Sequence, residues 1–137
     1  MISRTLIKIK RKIKDKRGSI EELINEKTKS VSLISTKKGS IRANHYHKTD
    51  WHYIYVLKGS FVYFYRERNK TKIYKTLVKK NQLLFTPPLL DHATYHTEYT
   101  EMLVVSKNKR DKKTYERDTV RVKFIDIKKV NELKKNL

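Results

Sequence analysis

The sequence is poor in residues that several common kinds of functional site require. Its 137 residues include no cysteine, three glycines, two prolines and one tryptophan. Without cysteine there is neither a disulfide framework nor a thiolate metal site, so any metal must be bound by histidine, carboxylate or water. The longest apolar stretches are too short to cross a bilayer, and the N-terminus lacks the apolar segment of a secretory signal. We therefore expect a soluble, cytoplasmic protein with no membrane association.

Acidic residues are also few. The 14 aspartates and glutamates stand against 34 lysines and arginines, which gives a formal net charge of +20. A field of this sign favours anionic partners such as nucleic acid, a membrane surface or a phosphorylated small molecule. Much of the excess is lysine, which also fits a compositional bias of the genome. No nucleic-acid motif accompanies the charge, so nucleic acid is not the favoured partner.

The chain does contain a series of short segments rich in β-branched and aromatic residues, with turns between them. Gly59 and Asn69-Lys70 lie where hairpins need turn residues. The series predicts strands over 5–13, 30–35, 40–47, 51–58, 60–68, 71–78, 81–87, 92–98 and 101–106. This spacing is typical of an all-β sandwich or barrel. No linker divides the chain, so a single domain over 1–137 is predicted.

Two segments have helical character. Residues 126–137 place Ile127, Val130 and Leu133 on one face, which predicts a short C-terminal helix. Residues 19–27 contain good helix formers, but the segment is also short enough to be a strand with a bulge. Before it, lysines at every second position from 8 to 16 would share one face of an extended chain. Such lysines either protect an edge strand from aggregation or form a strip that faces an anion.

Three of the five histidines lie within eight residues of each other. His45 and His47 are two positions apart, so on a strand both side chains project from the same face and can bind one ion. His52 begins the next predicted strand, and His92 and His96 follow later in the chain. The spacing predicts a shared metal or catalytic pocket. The alternative is a set of separate histidines, each hydrogen-bonded at the surface or in the core.

Residues 39–59 resemble the first motif of the cupin superfamily, in which a glycine, an HxH pair, a glutamate and a second glycine follow at fixed spacing. Gly39, the two histidines of "HYH" and Gly59 match, and His52 stands where the family has glutamate. The resemblance implies a single cupin barrel, which is a double-stranded jelly roll with a pocket at one mouth. Together with the predicted helix, the expected fold is all-β with a short C-terminal helix.

Residues 81–96 resemble the more degenerate second cupin motif. Pro87 and His92 match it, while Asn81 and Leu89 replace its two glycines and His96 takes the place of its asparagine. The resemblance therefore covers residues 39–96.

The cupin resemblance also implies a metal site. Its ligands would be His45, His47 and His92, with His52 as a fourth ligand in the glutamate position. Nitrogen ligands suit transition metals better than magnesium or calcium. Zinc is the expected divalent ion, iron, nickel and copper are alternatives, and chemistry without a metal stays open.

Two stretches resemble a narrower group of cupins. "DKRGSIEEL" (15–23) and "IRANHYHK" (41–48) are similar to segments of the nucleotide-sugar ketoisomerases, the deoxysugar 3,5-epimerases and the cupin domain of capsular-polysaccharide enzymes. This resemblance implies an isomerase or epimerase that transfers protons on a nucleotide-linked keto-sugar in polysaccharide biosynthesis. His45 and His47 would be its catalytic groups, and a homodimer is expected.

The substrate of such an enzyme would be a nucleoside-diphosphate sugar, whose pyrophosphate suits the basic chain. Arg42 and Arg17 are the candidate pyrophosphate ligands, and Tyr95 is a third candidate for substrate contact, with core or surface packing as its favoured alternative. Arg42 precedes His45 by three residues, so on a flat strand it would face the opposite side, whereas a twisted or dimeric edge could still bring it near a pocket.

Two other functions fit the same motifs. Another metallo-cupin, such as a small-molecule dioxygenase, would hold a redox-active ion and consume oxygen. A non-enzymatic cupin that binds an anionic partner would show salt-dependent binding that does not need His45 or His47.

Overall fold

Twelve strands and two short helices make up residues 5–135, the part of the chain that the computed structural model describes. One five-stranded sheet contains, in spatial order, Leu6–Ile7 (β1), Leu83–Thr86 (β9), His52–Lys58 (β6), Thr100–Ser106 (β11) and Ser30–Thr36 (β4). The other contains Thr119–Arg121 (β12), Ile41–His47 (β5), Leu90–Tyr95 (β10), Ser60–Glu67 (β7) and Tyr74–Lys79 (β8). All pairings are antiparallel. The predicted all-β double-stranded jelly roll is confirmed.

The main core lies between the two sheets. In β6 the buried residues His52, Ile54 and Val56 alternate with half-buried tyrosines, because successive side chains of a strand point to opposite faces. The buried apolar cluster is formed by Ile54, Val56, Phe61, Tyr63, Val78, Leu84, Met102 and Val104. Fully burying a side chain of this size contributes about 1.5–3 kcal/mol, so this layer is what holds the sheets face to face.

The outer face of the second sheet is covered by the end of the chain. Ile127–Leu133 forms a helix (α2) that begins after Asp126, whose side chain accepts a hydrogen bond from the Lys129 amide. Val130 of this helix and Ile125 before it pack on Val62, Phe64 and Ala93 of the sheet. The predicted C-terminal helix is therefore present in a shorter form. Residues 136 and 137 of the predicted span lie outside the described residues.

The N-terminal segment differs from its prediction. The single strand expected over 5–13 is divided, since β1 ends at Ile7 and a second strand, Arg11–Asp15 (β2), pairs with Gly18–Glu22 (β3) in a separate hairpin. Residues 18–22 are thus a strand and not a helix. The alternation of lysines from 8 to 16 does not form one continuous strip, because the strand is interrupted at residues 8–10 and the hairpin turns at residues 16 and 17.

One helix was not predicted. Lys112–Asp118 (α1) follows β11 and is capped by Asp111, whose side chain accepts a hydrogen bond from the Thr114 amide. It leads directly into β12, which pairs with β5 so that Thr119 is opposite His47 and Arg121 is opposite His45. The helix is therefore placed beside the histidines of β5. No helix within residues 5–135 is long and apolar enough to cross a membrane.

The turns keep the backbone conformation of the cupin motifs even where the residue has changed. Gly59 has φ of +80°, and a Cβ atom there would collide with the Tyr99 carbonyl oxygen. Asn81 and Leu89, which replace the motif glycines, have φ of 67° and 64°. Both therefore adopt the left-handed conformation that glycine adopts without strain.

Candidate active site

His45, His47 and His92 meet on the inner face of the second sheet, and we call them the histidine cluster. His45 and His92 are directly opposite each other on the paired strands β5 and β10. The ring centroid of His45 lies 4.6 Å from that of His47 and 4.7 Å from that of His92. One ligand atom from each of the three residues lies within 4.8 Å of the others. Two separated segments of the sequence thus contribute to one site.

His52 lies beside this cluster but is not part of its set of ligand atoms. Its ring centroid is 5.8 Å from that of His47 and 5.2 Å from that of His92. The guanidinium of Arg110, which can only donate, lies 3.2 Å from the Nδ1 atom of His52. In the neutral ring Nδ1 therefore accepts this bond and Nε2 carries the hydrogen. His52 is therefore a neighbour of the cluster whose Nδ1 lone pair is used by Arg110, and its role as a fourth ligand stays a prediction.

The hydrogen bonds of His47 and His92 leave one ring nitrogen of each without a partner. The hydroxyl of Thr119 donates to the Tyr115 carbonyl, so it accepts from Nδ1 of His47. Nδ1 of His92 donates to the Leu90 carbonyl. Both Nε2 atoms are buried and have no hydrogen-bond partner within residues 5–135. Each is an unprotonated nitrogen that can bind a metal or accept a proton.

The cluster is uncharged at neutral pH. Burial is the largest cause, and it lowers the pKa of His45 to about 2, of His47 to about 3 and of His92 to about 4. The positive charge of Arg110 lowers the pKa of all three further. Asp118 opposes this at His47, where its carboxylate lies 3.9 Å from Nδ1. Asp91 likewise opposes it at His92, so His47 and His92 each have an acidic neighbour that favours the charged form.

His45 and His92 of the cluster, together with His52, line a cavity of about 150 Å³ between the two sheets, and His47 lies buried beside them. The apolar wall of this cavity comes from the first sheet, and its lining residues there are Ile34, Ile54, Met102 and Val104. The charged side chains in its lining are both arginines, Arg42 and Arg110. Arg110 also lies over the ring of Tyr115, with 5.4 Å between its Cζ atom and the ring centroid. The cavity therefore suits a small polar group that carries or develops negative charge.

Arg42 reaches this cavity because β5 contains a bulge. His92 pairs with His45 and Ala93 pairs with Ala43, so Asn44 is an extra residue without a partner on β10. Ala43 and Asn44 have φ of 70° and 58°. The insertion reverses the alternation of side chains and turns Arg42 to the same face as His45. The opposite face expected on a flat strand does not apply here, and Arg42 lines the cavity because of this bulge.

Two of the expected substrate contacts are not near the cavity. Arg17 lies in the turn between β2 and β3, where its guanidinium pairs with Asp15 at 2.8 Å. Tyr95 follows the inward-facing Thr94, so it points outward and packs against the apolar cluster beneath α2. Neither residue lines the cavity, and their assignment as substrate contacts stays a prediction. His96 is also separate, since its two ring nitrogens bond to Thr94 and Thr100.

Sequence reasoning did not find the contribution of α1 and the segment before it. Tyr115 from α1 lies 5.5 Å from His47 and 6.2 Å from His45 between ring centroids. Arg110 precedes the helix and contacts His52. Neither residue belongs to a cupin motif. The available signal was the helix cap at Asp111 and Thr114, which predicts a helix after β11 but not what it would cover.

Comparison with known proteins identifies the family. The model of the polysaccharide biosynthesis C-terminal domain matches residues 13–120. The chain belongs to this family. A search among curated proteins finds no match. Among solved structures, this family member is similar to a double-mutant form of the 3,4-ketoisomerase QdtA from Thermoanaerobacterium thermosaccharolyticum in complex with TDP, with 28% identity, 85% of each chain covered and a TM-score of 0.65.

Two more distant structures share the fold of this member of the polysaccharide biosynthesis C-terminal domain family. The dTDP-4-dehydrorhamnose 3,5-epimerase from Sulfolobus tokodaii is 18% identical over 84% of this chain and 76% of its own, with a TM-score of 0.66. The capsular polysaccharide assembling protein CapF from Staphylococcus aureus is 23% identical over 88% of this chain, with a TM-score of 0.65. The chain spans about a third of the length of CapF. The resemblance to the sugar-nucleotide cupins is confirmed.

Proposed function

We propose that the protein is an isomerase or epimerase that transfers a proton at the carbon next to the ketone of a nucleotide-linked sugar. The observation that carries the proposal is the uncharged histidine cluster, of which His45 and His92 line a cavity whose two charged lining residues are arginines. A neutral histidine can accept a proton from carbon, and the positive charges favour an anionic substrate. The likeness to a 3,4-ketoisomerase supports the same reaction class.

His47 is the general base of this reaction. Its unpartnered Nε2 accepts the proton, while Nδ1 stays hydrogen-bonded to Thr119 near the carboxylate of Asp118. The electron pair of the broken C–H bond moves to the ketone oxygen and gives an enediolate. Return of the proton to the former carbonyl carbon, with transfer of the neighbouring hydroxyl proton to the enolate oxygen, completes an isomerisation. Return to the other face of the original carbon completes an epimerisation. His45, next to His47, hydrogen-bonds to an oxygen of the sugar.

The test is exchange of solvent deuterium into TDP-4-keto-6-deoxyglucose, followed by mass spectrometry and NMR. We expect exchange by the wild-type protein and a loss of about 100-fold or more in His47→Asn, which is the usual contribution of a general base. His96→Gln is the matched control, because His96 is buried but lies outside the cavity. Absence of exchange in the wild type, or wild-type exchange in His47→Asn, contradicts the proposal.

A transition metal is the alternative occupant of this site, because an Nε2 atom that binds a metal ion cannot also accept a proton. The histidine cluster fits such an ion, because three ligand atoms lie close together and the Nε2 atoms of His47 and His92 are buried without partners in the described part of the chain. His45, His47 and His92 would hold it, with zinc the expected ion. When bound, it would supply positive charge that polarises a carbonyl group. Elemental analysis of untagged protein decides between the two uses of the cluster. One ion per chain that is lost in His92→Ala would show that the cluster binds a metal, and its loss in His52→Ala as well would make His52 a fourth ligand.

We also infer a cytoplasmic homodimer. The β2–β3 hairpin presents Ile13 and Ile20, which are directly opposite each other and 42% and 65% exposed. Contact between copies of the chain would cover these side chains and supply apolar burial. Sedimentation analysis should give a dimer for the wild type and a monomer for Ile13→Lys/Ile20→Lys. A monomeric wild type contradicts the inference without affecting the proposed reaction.

A further inference from the structure

Arg110 lies at the edge of the histidine cluster, although it belongs to neither cupin motif. Its guanidinium donates to His52, whose ring is 5.2 Å from that of His92. On its other side it lies over Tyr115, whose ring is 5.5 Å from that of His47. Arg110 is therefore separated from His92 by the ring of His52 and from His47 by the ring of Tyr115, and it lines the same cavity.

The guanidinium is held in place by a buried carboxylate. Asp50 is 3% exposed, and its Oδ2 accepts from Nε of Arg110 at 3.2 Å while its Oδ1 accepts from the amide of Asn108. Burial raises the pKa of Asp50, and the bonds from Asn108 and Arg110 oppose that rise. A buried ion pair of this kind orders the arginine before any ligand arrives.

Arg110 still has hydrogen-bond donors to offer. A guanidinium carries five N–H groups. Within residues 5–135 the protein acceptors of Arg110 are Asp50 Oδ2 and the Nδ1 atom of His52. The other charged residue of the lining, Arg42, is already bonded to Thr36 and to the Ser35 carbonyl. Of the two arginines, Arg110 is the one placed beside the catalytic rings.

We propose that Arg110, anchored by Asp50, binds the oxyanion that forms in the histidine cavity. This inference rests on the proposed function. In the proton-transfer step the C–H electron pair moves to the ketone oxygen, and the guanidinium donates hydrogen bonds to that oxygen without giving up a proton. The interaction strengthens as the oxygen gains charge, so it stabilises the transition state more than the bound ketone.

Binding of an enediolate mimic tests this role without turnover. The probe is tropolonate, a planar anion with two adjacent oxygens, titrated into chelator-treated protein whose freedom from metal has been verified. We expect Arg110→Met to weaken binding by about tenfold or more, which is typical for loss of a charge-assisted hydrogen bond, and Arg110→Lys to weaken it less. Arg66→Met is the matched control, since Arg66 also pairs with a buried aspartate, Asp91, but does not line the cavity.

Arg110→Met leaves the buried Asp50 carboxylate without its ion pair, which could destabilise the fold. The double variant Asp50→Asn/Arg110→Met is the control for this effect. It removes both charges, and it should fold and bind tropolonate as weakly as Arg110→Met. The proposal is overturned if the wild type does not bind tropolonate. It is also overturned if either arginine-free variant binds within about twofold of the wild type.

Deuterium exchange separates this proposal from the proposed function. If the wild type exchanges, Arg110→Met should lower kcat by about 100-fold and change KM by less than about threefold, because the contact is made mainly in the transition state. An unchanged kcat overturns the role of Arg110 and leaves the proposed function standing. If the wild type does not exchange, the proposed function fails, and the tropolonate comparison alone decides whether Arg110 binds an oxyanion.

Discussion

Four of the five histidines are buried and His45 is half-buried, and they differ in whether their ring nitrogens have hydrogen-bond partners. His96 has a hydroxyl group at each nitrogen and is 0% exposed. His47 and His92 have one partner each and one buried nitrogen with none among the described residues. A buried polar atom without a partner costs about 1–3 kcal/mol, so these two nitrogens are kept at the expense of stability. A role in binding or catalysis would explain why these nitrogens are left without partners although this lowers stability.

His96, which lies outside the active site, should make the free energy of unfolding depend on pH. Burial lowers its pKa in the folded state from 6.5 to about 4. The unfolded chain therefore binds an extra proton between these values, so stability is full above pH 6.5 and falls as the pH drops toward 4, by up to about 1.4 kcal/mol per pH unit. Urea unfolding at a series of pH values measures this dependence. Below pH 6.5 the unfolding free energy of His96→Gln should fall less steeply than that of the wild type, by about 1.4 kcal/mol per pH unit. Above pH 7 the two curves should run parallel, and equal slopes below pH 6 would contradict the assignment.

Replacing Leu89 with glycine should stabilise the folded protein. The φ of 64° at Leu89 is left-handed, which costs a branched L-residue about 1–2 kcal/mol, and the side chain is 52% exposed. Leu89→Gly should therefore raise the free energy of unfolding by about 1 kcal/mol, measured by urea denaturation. Leu57 is a matched control, because it is 39% exposed in the regular strand β6. Leu57→Gly should destabilise by about 1 kcal/mol, and the same sign for both variants would refute the explanation.

At the scale of elements, α1 is attached to the connection between β5 and β6 through its last residue. The carboxylate of Asp118 accepts from the amide and hydroxyl of Thr49 and from the amide of Asp50. The backbone carbonyl of Asp118 accepts a hydrogen bond from the amide of Lys48. The same connection carries Asp50, which holds Arg110. One carboxylate thus links the helix that brings Tyr115 to the loop that places Arg110.

Asp118→Ala should release this attachment. Hydrogen bonds to a charged group contribute about 1.5–3 kcal/mol, so we expect a loss of about 2–3 kcal/mol in unfolding free energy together with a loss of deuterium exchange. Asp126→Ala removes a single capping bond of α2, on the far side of the sheet from the cavity. It should cost about 1 kcal/mol and leave exchange unchanged. Equal effects of the two variants on exchange would show that Asp118 has no special link to the site.

The sequence predicts those elements whose own residues decide their structure. The strands from residue 30 to residue 106 and the helix at Ile127–Leu133 follow from alternation and from apolar periodicity. The division at residues 8–10 does not, because pairing with β9 and with β3 decides it. The bulge at Asn44 depends on a bond pattern with Ile125, 81 residues away. It turned Arg42 inward against the simple alternation.

The same limit applies to the candidate site. His45, His47 and His92 could be placed together from motif spacing, since each lies on a strand whose partner the fold implies. Arg110 and Tyr115 could not, because their position depends on how the chain leaves β11 and returns through β12. For Tyr95, substrate contact and packing both stayed open, because the inward face of β10 could not be distinguished in the sequence from the face that α2 covers.

At the scale of the whole molecule, the net charge of +20 acts on every anionic ligand. The cavity itself contributes two arginines to this field, and the remaining cations are mostly exposed lysines. Long-range attraction from such a surface speeds the encounter with an anion and is screened by salt, whereas short contacts inside a cavity are screened much less. Salt therefore separates the general field from the local site.

Binding of TDP should weaken as salt rises, by about tenfold in Kd between about 20 and 300 mM NaCl, because the diphosphate is attracted by the whole surface. Thymidine, which has the same base and sugar but no phosphate, is the matched ligand, and its Kd should change by less than about twofold. Calorimetric titration measures both. A polyanion such as heparin that binds more tightly than TDP, with no loss in His45→Ala/His47→Ala, would instead favour a binding module for an anionic polymer. A Kd for TDP that is independent of salt would show that the net charge takes no part in substrate capture.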